Sequence, residues 1–168
     1  MEQSYRTTVE IMEAANNVME KLDNKDLVRA KPVIRHGKPV EYIQKSGISD
    51  VAADIVEKIE QAKKLGHKTI AVICKTMEEC SQILPMIKKA DKNISIITGN
   101  EKEYKSGIVV VPSYLSKGLE FDVVLISNAS SEYYTKSDLD IKLLYVAMTR
   151  PLHKLCIYHT GEISNLLK

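Results

Sequence analysis

Four short apolar runs constrain the fold of this sequence more than any other feature. In three of them the apolar residues follow one another without a polar residue between them, which is typical of a strand that is covered on both faces. Helical segments separate the runs, and strands that alternate with helices favour a parallel sheet. The sequence therefore predicts an α/β fold, a three-layer sandwich with a mostly parallel sheet. The runs are 68–75 (KTIAVICK), 93–98 (NISIIT), 107–112 (GIVVVP) and 122–128 (DVVLISN), and a further strand is expected at 153–159 (HKLCIYH).

Capping residues and helical spacing predict the helices. A helix is expected from Thr7 to Leu22, with Thr7 or Thr8 as its N-cap. A second runs from a Ser49 cap to a terminal glycine, Gly66. Further helices are predicted at 76–90, at 137–150 with Ser137 as the cap, and at 162–168. Residues 27–44 favour short strands or an irregular hairpin around RHGKP at 35–39.

Composition limits the class of protein. With 168 residues, 44% of them apolar and 27% charged, the chain fits one globular domain, 1–168. It has no block of 18 apolar residues and its first 20 residues do not resemble a secretory signal, so a soluble cytoplasmic protein is expected. Three cysteines without CxxC spacing suggest buried thiols and no metal site. A net charge of +2 does not by itself indicate nucleic-acid binding.

The groups that would hold a nucleotide phosphate are missing from this sequence. Its nearest approach to a phosphate-binding loop, 66–69 (GHKT), lacks the earlier glycine and precedes a strand instead of following one. No strand ends in paired carboxylates that could hold Mg²⁺. The chain alone is therefore not expected to be a complete ATPase.

Several residues could nevertheless serve a nucleotide that another domain holds. Arg150 ends a helix before Pro151, where it could contact a γ-phosphate or could simply neutralise the helix dipole. Tyr5 and Arg6 precede a helix and could stack on a base and bind a phosphate, or could be ordinary exposed side chains. Glu120 could accept from a ribose hydroxyl or lie in a solvated loop in which Gly118 supplies a turn.

Three stretches taken in order resemble motifs of superfamily 1 helicases of the UvrD, Rep and PcrA kind. They are QSYRTTVEIMEAAN from Gln3, SKGLEFDVVLI from Ser116 and LLYVAMTR ending at Arg150. In that family these motifs mark the second RecA-like domain, which has the P-loop NTPase fold but lacks the P-loop. The resemblance extends from Gln3 to about Tyr158.

Carried over by position, the resemblance implies roles for individual residues. Tyr5 would stack on adenine, Arg6 and Arg150 would reach the γ-phosphate and act in catalysis, and Glu120 would meet the ribose. Gly118 would permit close approach of the loop.

The nucleic-acid interface departs from the family pattern. The resemblance assigns Tyr114, Ser116 and Lys117 to that interface, but Tyr114 stands where the family has a histidine. An aromatic ring there could still stack on a base. This variant, and the short spacing between Arg6 and Lys117, more closely resemble the HelD group of ATPases that recycle bacterial RNA polymerase.

The resemblance also implies that another domain supplies the rest of the ATP site. The first RecA-like domain, expected earlier in the same longer chain, would carry the phosphate loop and the Mg²⁺ carboxylates. ATP with Mg²⁺ is then the cofactor of the full-length protein, and none is expected to bind this fragment. The expected partners are that domain, single-stranded or duplex DNA and RNA polymerase, with no membrane. Two alternatives stay open: a DNA-unwinding helicase of the UvrD type and a non-catalytic interaction module.

Overall fold

A six-stranded sheet forms the centre of the protein in the computed structural model, which describes residues 7–22, 35–99 and 107–168. Within these ranges the strand order is β1-β6-β5-β2-β4-β3, and every neighbouring pair is parallel. The predicted parallel α/β sheet is thus confirmed. The strands are β1 (Glu41–Gln44), β2 (Ile70–Cys74), β3 (Ser95–Ile96), β4 (Ile108–Pro112), β5 (Phe121–Ile126) and β6 (Pro151–His159).

Helices cover both faces of the sheet and make it a three-layer sandwich. Helices α1 (Val9–Met19) and α4 (Asp138–Met148) contribute to one apolar core, while α2 (Ile48–Lys64) and α3 (Met77–Ile87) contribute to the other. All five residues of β2 are buried, with Ile73 in the first core and Val72 in the second. A strand covered on both faces cannot expose polar side chains, which explains its continuous apolar sequence.

The caps predicted for two of the helices are confirmed, and the cap predicted for a third is wrong. Thr8 caps α1 by accepting from Ile11 N at 3.3 Å, and Ser137 caps α4 by accepting from Asp140 N at 3.1 Å. Helix α2 begins one residue before Ser49, with Gly47 as its N-cap and no side-chain capping bond.

The end of α2 was predicted correctly. Gly66 adopts φ +88, and the amides of Gly66 and His67 donate back to Lys63 O and Ala62 O, both at 3.0 Å. This is a Schellman motif, in which a left-handed glycine ends the helix.

Of the short strands or irregular hairpin expected over residues 27–44, the described part contains one short strand, β1. Residues 27–34 lie outside the described ranges, and in 35–44 the strand β1 pairs in parallel with β6 at the sheet edge. The terminal helix predicted at 162–168 is a short 3₁₀ turn, Asn165–Leu167. The three cysteines are free and buried, as expected. No helix in the described part of the chain is long and apolar enough to cross a membrane.

Candidate functional site

The site residues predicted from the sequence lie on a segment that crosses one face of the sheet. It leaves the carboxyl end of β4 as a 3₁₀ turn, Ser113–Leu115, and ends at Glu120, directly before β5. Since β4 and β5 are parallel, this segment must travel from the carboxyl edge of the sheet to its amino edge. Gly118 and Glu120 therefore lie towards the amino edge, where Arg150 also precedes the first residue of β6.

Arg150 joins two of the sequence motifs. Its Nη1 donates to Leu119 O at 3.2 Å, and its own carbonyl accepts from Phe121 N at 3.1 Å. The stretches SKGLEF and YVAMTR, which are separate in the sequence, are thus bonded directly to each other. Arg150 is half-buried, and burial lowers its pKa while Glu120 and Tyr145 nearby oppose that shift. The guanidinium stays charged at any physiological pH.

Both readings of Arg150 find support in its hydrogen bonds. Nε donates to Val146 O at 3.0 Å, which satisfies a carbonyl in the last turn of α4, as a helix-capping cation does. Nη2 donates to Thr149 Oγ1 at 3.0 Å. Together with the bond to Leu119, these use three of the five guanidinium N–H groups, and the other two have no partner among the described residues.

Gly118 is needed for its backbone conformation. Its φ is +86, a region that residues with a Cβ rarely adopt. No described atom lies within 4 Å of the position a Cβ would take, so crowding by the protein is not the reason for glycine. Close approach of a ligand in that open space stays a prediction. Glu120, two residues on, is exposed.

The three residues assigned to nucleic-acid binding differ in accessibility. Tyr114 is 55% exposed, and Lys117 is exposed. Ser116 is fully buried, and its hydroxyl donates to Ser113 O at 2.8 Å. The assignment of Ser116 is therefore corrected: its side chain braces the turn and has no surface to offer a nucleic acid. The physical reason is that the segment packs this position inward as it crosses the sheet.

Helix α4 connects the Tyr114 end of the site with the Arg150 end. Ser113 Oγ, next to Tyr114, donates to Leu143 O in the middle of α4 at 2.5 Å. The start of α4 is fixed by Asp140, which accepts from Lys75 Nζ at 2.8 Å. Arg150 follows the last turn of the helix. One helix therefore contacts the turn that carries Tyr114 and leads directly to Arg150.

Asp140 and Lys75 were missed by sequence reasoning. The Asp140 carboxylate also accepts from Thr135 N at 2.8 Å and from Thr135 Oγ1 at 2.7 Å. Burial opposes its ionisation, but the Lys75 and Thr135 hydrogen bonds outweigh that cost and hold the pKa of Asp140 below its ordinary value. The only sequence signal was an acid close to the first apolar positions of a helix, and nothing in the sequence identified Lys75 as its partner.

The start of α1 is bonded to the same region. Thr7 Oγ1 donates to Pro151 O at 2.7 Å, one residue beyond Arg150. The two predicted site residues before it, Tyr5 and Arg6, lie outside the described residues. Across the described ranges, no three side chains of His, Cys, Asp or Glu come together in a way that could hold a metal ion.

The parallel sheet, its two helical layers and the joined motifs define a RecA-like α/β domain of the kind that helicases contain. The chain belongs to the UvrD-like helicase C-terminal domain family. One family model with that description matches residues 1–106, and a second with the same description matches residues 107–158.

Two solved structures are similar to this chain. The C-terminal domain of a possible DNA helicase from Lactobacillus plantarum WCFS1 superposes with a TM-score of 0.74 at 25% identity, covering 96% of this chain and 91% of that one. Domain 2 of the DEAD-box helicase Mss116p, solved with an RNA duplex, has a TM-score of 0.51 at 17% identity over 75% of this chain and 54% of its own. The second likeness shows the fold alone. No curated protein matches the sequence.

Proposed function

We propose that this domain is the C-terminal half of an ATP-dependent helicase-like motor. ATP with Mg²⁺ would bind between it and a first RecA-like domain that carries the phosphate loop. Arg150 and Arg6 would contact the γ-phosphate, Glu120 the ribose and Tyr5 the adenine. The assignments of Tyr5 and Arg6 rest on the family resemblance.

The observation that carries this proposal is the bonding of Arg150 to the segment before β5. A cation that only capped α4 would need no bond beyond the one to Val146 O. Arg150 also donates to Leu119 O, and two of its N–H groups have no partner among the described residues. On the same segment, no described atom lies within 4 Å of the position that a Cβ of Gly118 would take. A phosphate oxygen suits those donors, because guanidinium binds phosphate with a rigid fork of N–H groups.

The contribution of this domain to ATP hydrolysis would be electrostatic. Bound ATP supplies the phosphoryl group, and Mg²⁺ would be held by carboxylates of the first domain. An arginine placed on the charge that develops during phosphoryl transfer contributes about 10³ to 10⁵ in rate. The bond to Leu119 would hold the guanidinium in position before ATP arrives, so that little reorganisation is needed.

The test is ATP hydrolysis by the intact two-domain protein with Arg150→Ala. We expect turnover to fall by at least about a thousandfold, because the phosphate-facing charge is lost. Arg150→Lys should recover only part of the rate, since an ammonium cannot reproduce the fork. Lys142→Ala is the matched control, because Lys142 is an exposed cation on the same helix. Full turnover by a folded Arg150→Ala protein would disprove the assignment.

Tyr114 favours a HelD-like protein, which acts on RNA polymerase, over a DNA-unwinding helicase of the UvrD type. It is exposed on the turn before Lys117, so its ring is available to a partner. We propose a HelD-like RNA polymerase recycling ATPase, with DNA also contacted at Tyr114 and Lys117.

Two assays on the intact protein separate the candidates. Capture of RNA polymerase, with no ATPase stimulation by single-stranded DNA, is expected for the HelD-like protein. Strong stimulation with duplex unwinding would instead support the UvrD-type helicase. A non-catalytic module would show no ATP hydrolysis at all, and its parent sequence would lack an upstream GxxxxGK[ST] motif.

A further inference from the structure

Six exposed lysines lie where α2 and α3 end, at the amino edge of the sheet and on the face opposite α4. The 3₁₀ turn after α3, Lys88–Ala90, packs against α2. Lys63 Nζ bonds to Asp91 Oδ2 at 3.0 Å and so joins the two helix ends. We call this the lysine surface, and its members are Lys63, Lys64, Lys68, Lys88, Lys89 and Lys92.

A groove of about 530 Å³ runs into the lysine surface. Its polar lining offers hydrogen-bond donors as well as positive charge. Among the described residues of that lining, Asp91 is the one acidic group, and it already accepts from Lys63 Nζ and from Asn93 N at 2.9 Å. Asp91 therefore does little to repel an anion. The polar lining residues are Lys63, His67, Lys68, Asp91, Asn93 and Ser95.

Helix dipoles explain only part of the lysine surface. Cations in the last turn of a helix are favourable, which accounts for Lys63 and Lys64 and partly for Lys88 and Lys89. Lys68 and Lys92 lie outside helices, and in the described part of the chain neither ammonium group bonds to a carboxylate. The chain as a whole carries only +2, so this concentration of positive charge is a local feature.

The chemistry of the surface indicates its ligand. Lysine is a flexible point charge that binds phosphates without reading sequence, whereas protein interfaces are depleted of lysine and have an apolar centre. In the described part of the chain, the large apolar side chains exposed near these lysines are Leu65 and, in the last turn of α3, Met86. We propose that the lysine surface binds the phosphodiester backbone of a nucleic acid. This contact is separate from the one proposed at Tyr114, which lies across the sheet at the other edge.

The experiment is duplex binding by this chain without nucleotide, using a fluorescein-labelled 20-base-pair DNA and fluorescence anisotropy over a salt series. The test variant combines Lys64→Gln, Lys68→Gln and Lys92→Gln, and leaves the Lys63–Asp91 bond intact. The control variant combines Lys38→Gln, Lys136→Gln and Lys142→Gln, which are exposed elsewhere and change the net charge equally.

We expect the slope of log K against log salt to become shallower by about 2 to 3 in the test variant, since each lost phosphate contact removes about 0.9. Binding at 0.1 M salt should weaken by about tenfold or more, while the control variant stays close to the parent. Equal slopes in the two variants, or binding that depends on Tyr114 and Lys117 instead, would overturn the proposal. Competition by polyglutamate as effective as by DNA would assign the surface to an acidic protein. Because no ATP is present, failure here leaves the proposed motor function untouched.

Discussion

The Lys75–Asp140 ion pair gives the sharpest stability prediction. The Asp140 side chain is 7% exposed, and it accepts from Lys75 and twice from Thr135. Removing one partner of a buried ion pair costs about 3 to 5 kcal/mol. Lys75 is 23% exposed and keeps a bond to Tyr133 O, and Thr135 can reach water, so the lower end of that range applies. We expect Asp140→Ala to lower the free energy of unfolding by about 3 kcal/mol.

Urea denaturation followed by circular dichroism measures this loss, and the midpoint should fall without a change in m. The melting temperature should drop by about 6 to 12 °C, at about 2 to 4 °C per kcal/mol for a chain of this size. Asp140→Asn, which keeps an acceptor for Thr135, should cost about 1 to 2 kcal/mol.

A double-mutant cycle isolates the pair itself. Lys75→Met combined with Asp140→Ala should cost about 1 to 2 kcal/mol less than the sum of the single changes, because the double variant leaves no unpaired charge. A cost below about 0.5 kcal/mol for Asp140→Ala, or strict additivity, would refute the claim that this pair fixes the start of α4.

Three further predictions concern other parts of the fold. Asp122 and Asp140 both have a pKa below the ordinary value, so their contribution to stability is complete above about pH 4 and is lost as the pH falls through the folded-state pKa. Measuring the free energy of unfolding at a series of acid pH values should show this loss. The fall in that free energy with pH should be less steep in Asp140→Asn. Gly118→Ala should cost about 1 to 2 kcal/mol in a thermal melt because φ is +86, and a neutral result would contradict the left-handed turn. Tyr158→Phe should lower the free energy of unfolding by about 1 to 2 kcal/mol in urea denaturation, since the hydroxyl donates to Asp54 Oδ2 at 2.5 Å. An unchanged midpoint would mean that this hydrogen bond adds nothing to stability.

The sheet could be predicted because the relevant signal is local. A strand buried on both faces, such as β2, must be apolar throughout, and that is visible in the sequence. Edge strand β1 has no such signal, because its residues alternate between half-buried and exposed and its partner β6 comes more than 100 residues later. The proline and glycine residues at 35–39 therefore left short strands and an irregular hairpin open as alternatives, and the described residues contain the short strand β1. Ser49 was likewise a plausible cap, but α2 already begins at Ile48.

The sequence motifs selected the candidate site residues, but they did not predict how those residues are arranged. Motif order drew attention to Gly118, Glu120 and Arg150, and the structure brings their segments together at the amino edge of the sheet. The inward packing of Ser116 could not be read from a short polar segment, because burial depends on how the segment crosses the sheet. The Lys75–Asp140 pair depends on contacts between distant parts of the chain, which no local pattern encodes.

The central claim is that this domain supplies one wall of an ATP site whose other wall belongs to a first RecA-like domain. Fluorescent-ATP titration tests it most directly, with this chain alone and then with the first domain joined in the same polypeptide. We expect no saturable binding by the isolated chain, and tight, Mg²⁺-dependent binding by the joined protein that weakens with Arg150→Ala. Saturable ATP binding by the isolated chain would contradict the account. So would ATP binding by the joined protein that Arg150→Ala does not weaken.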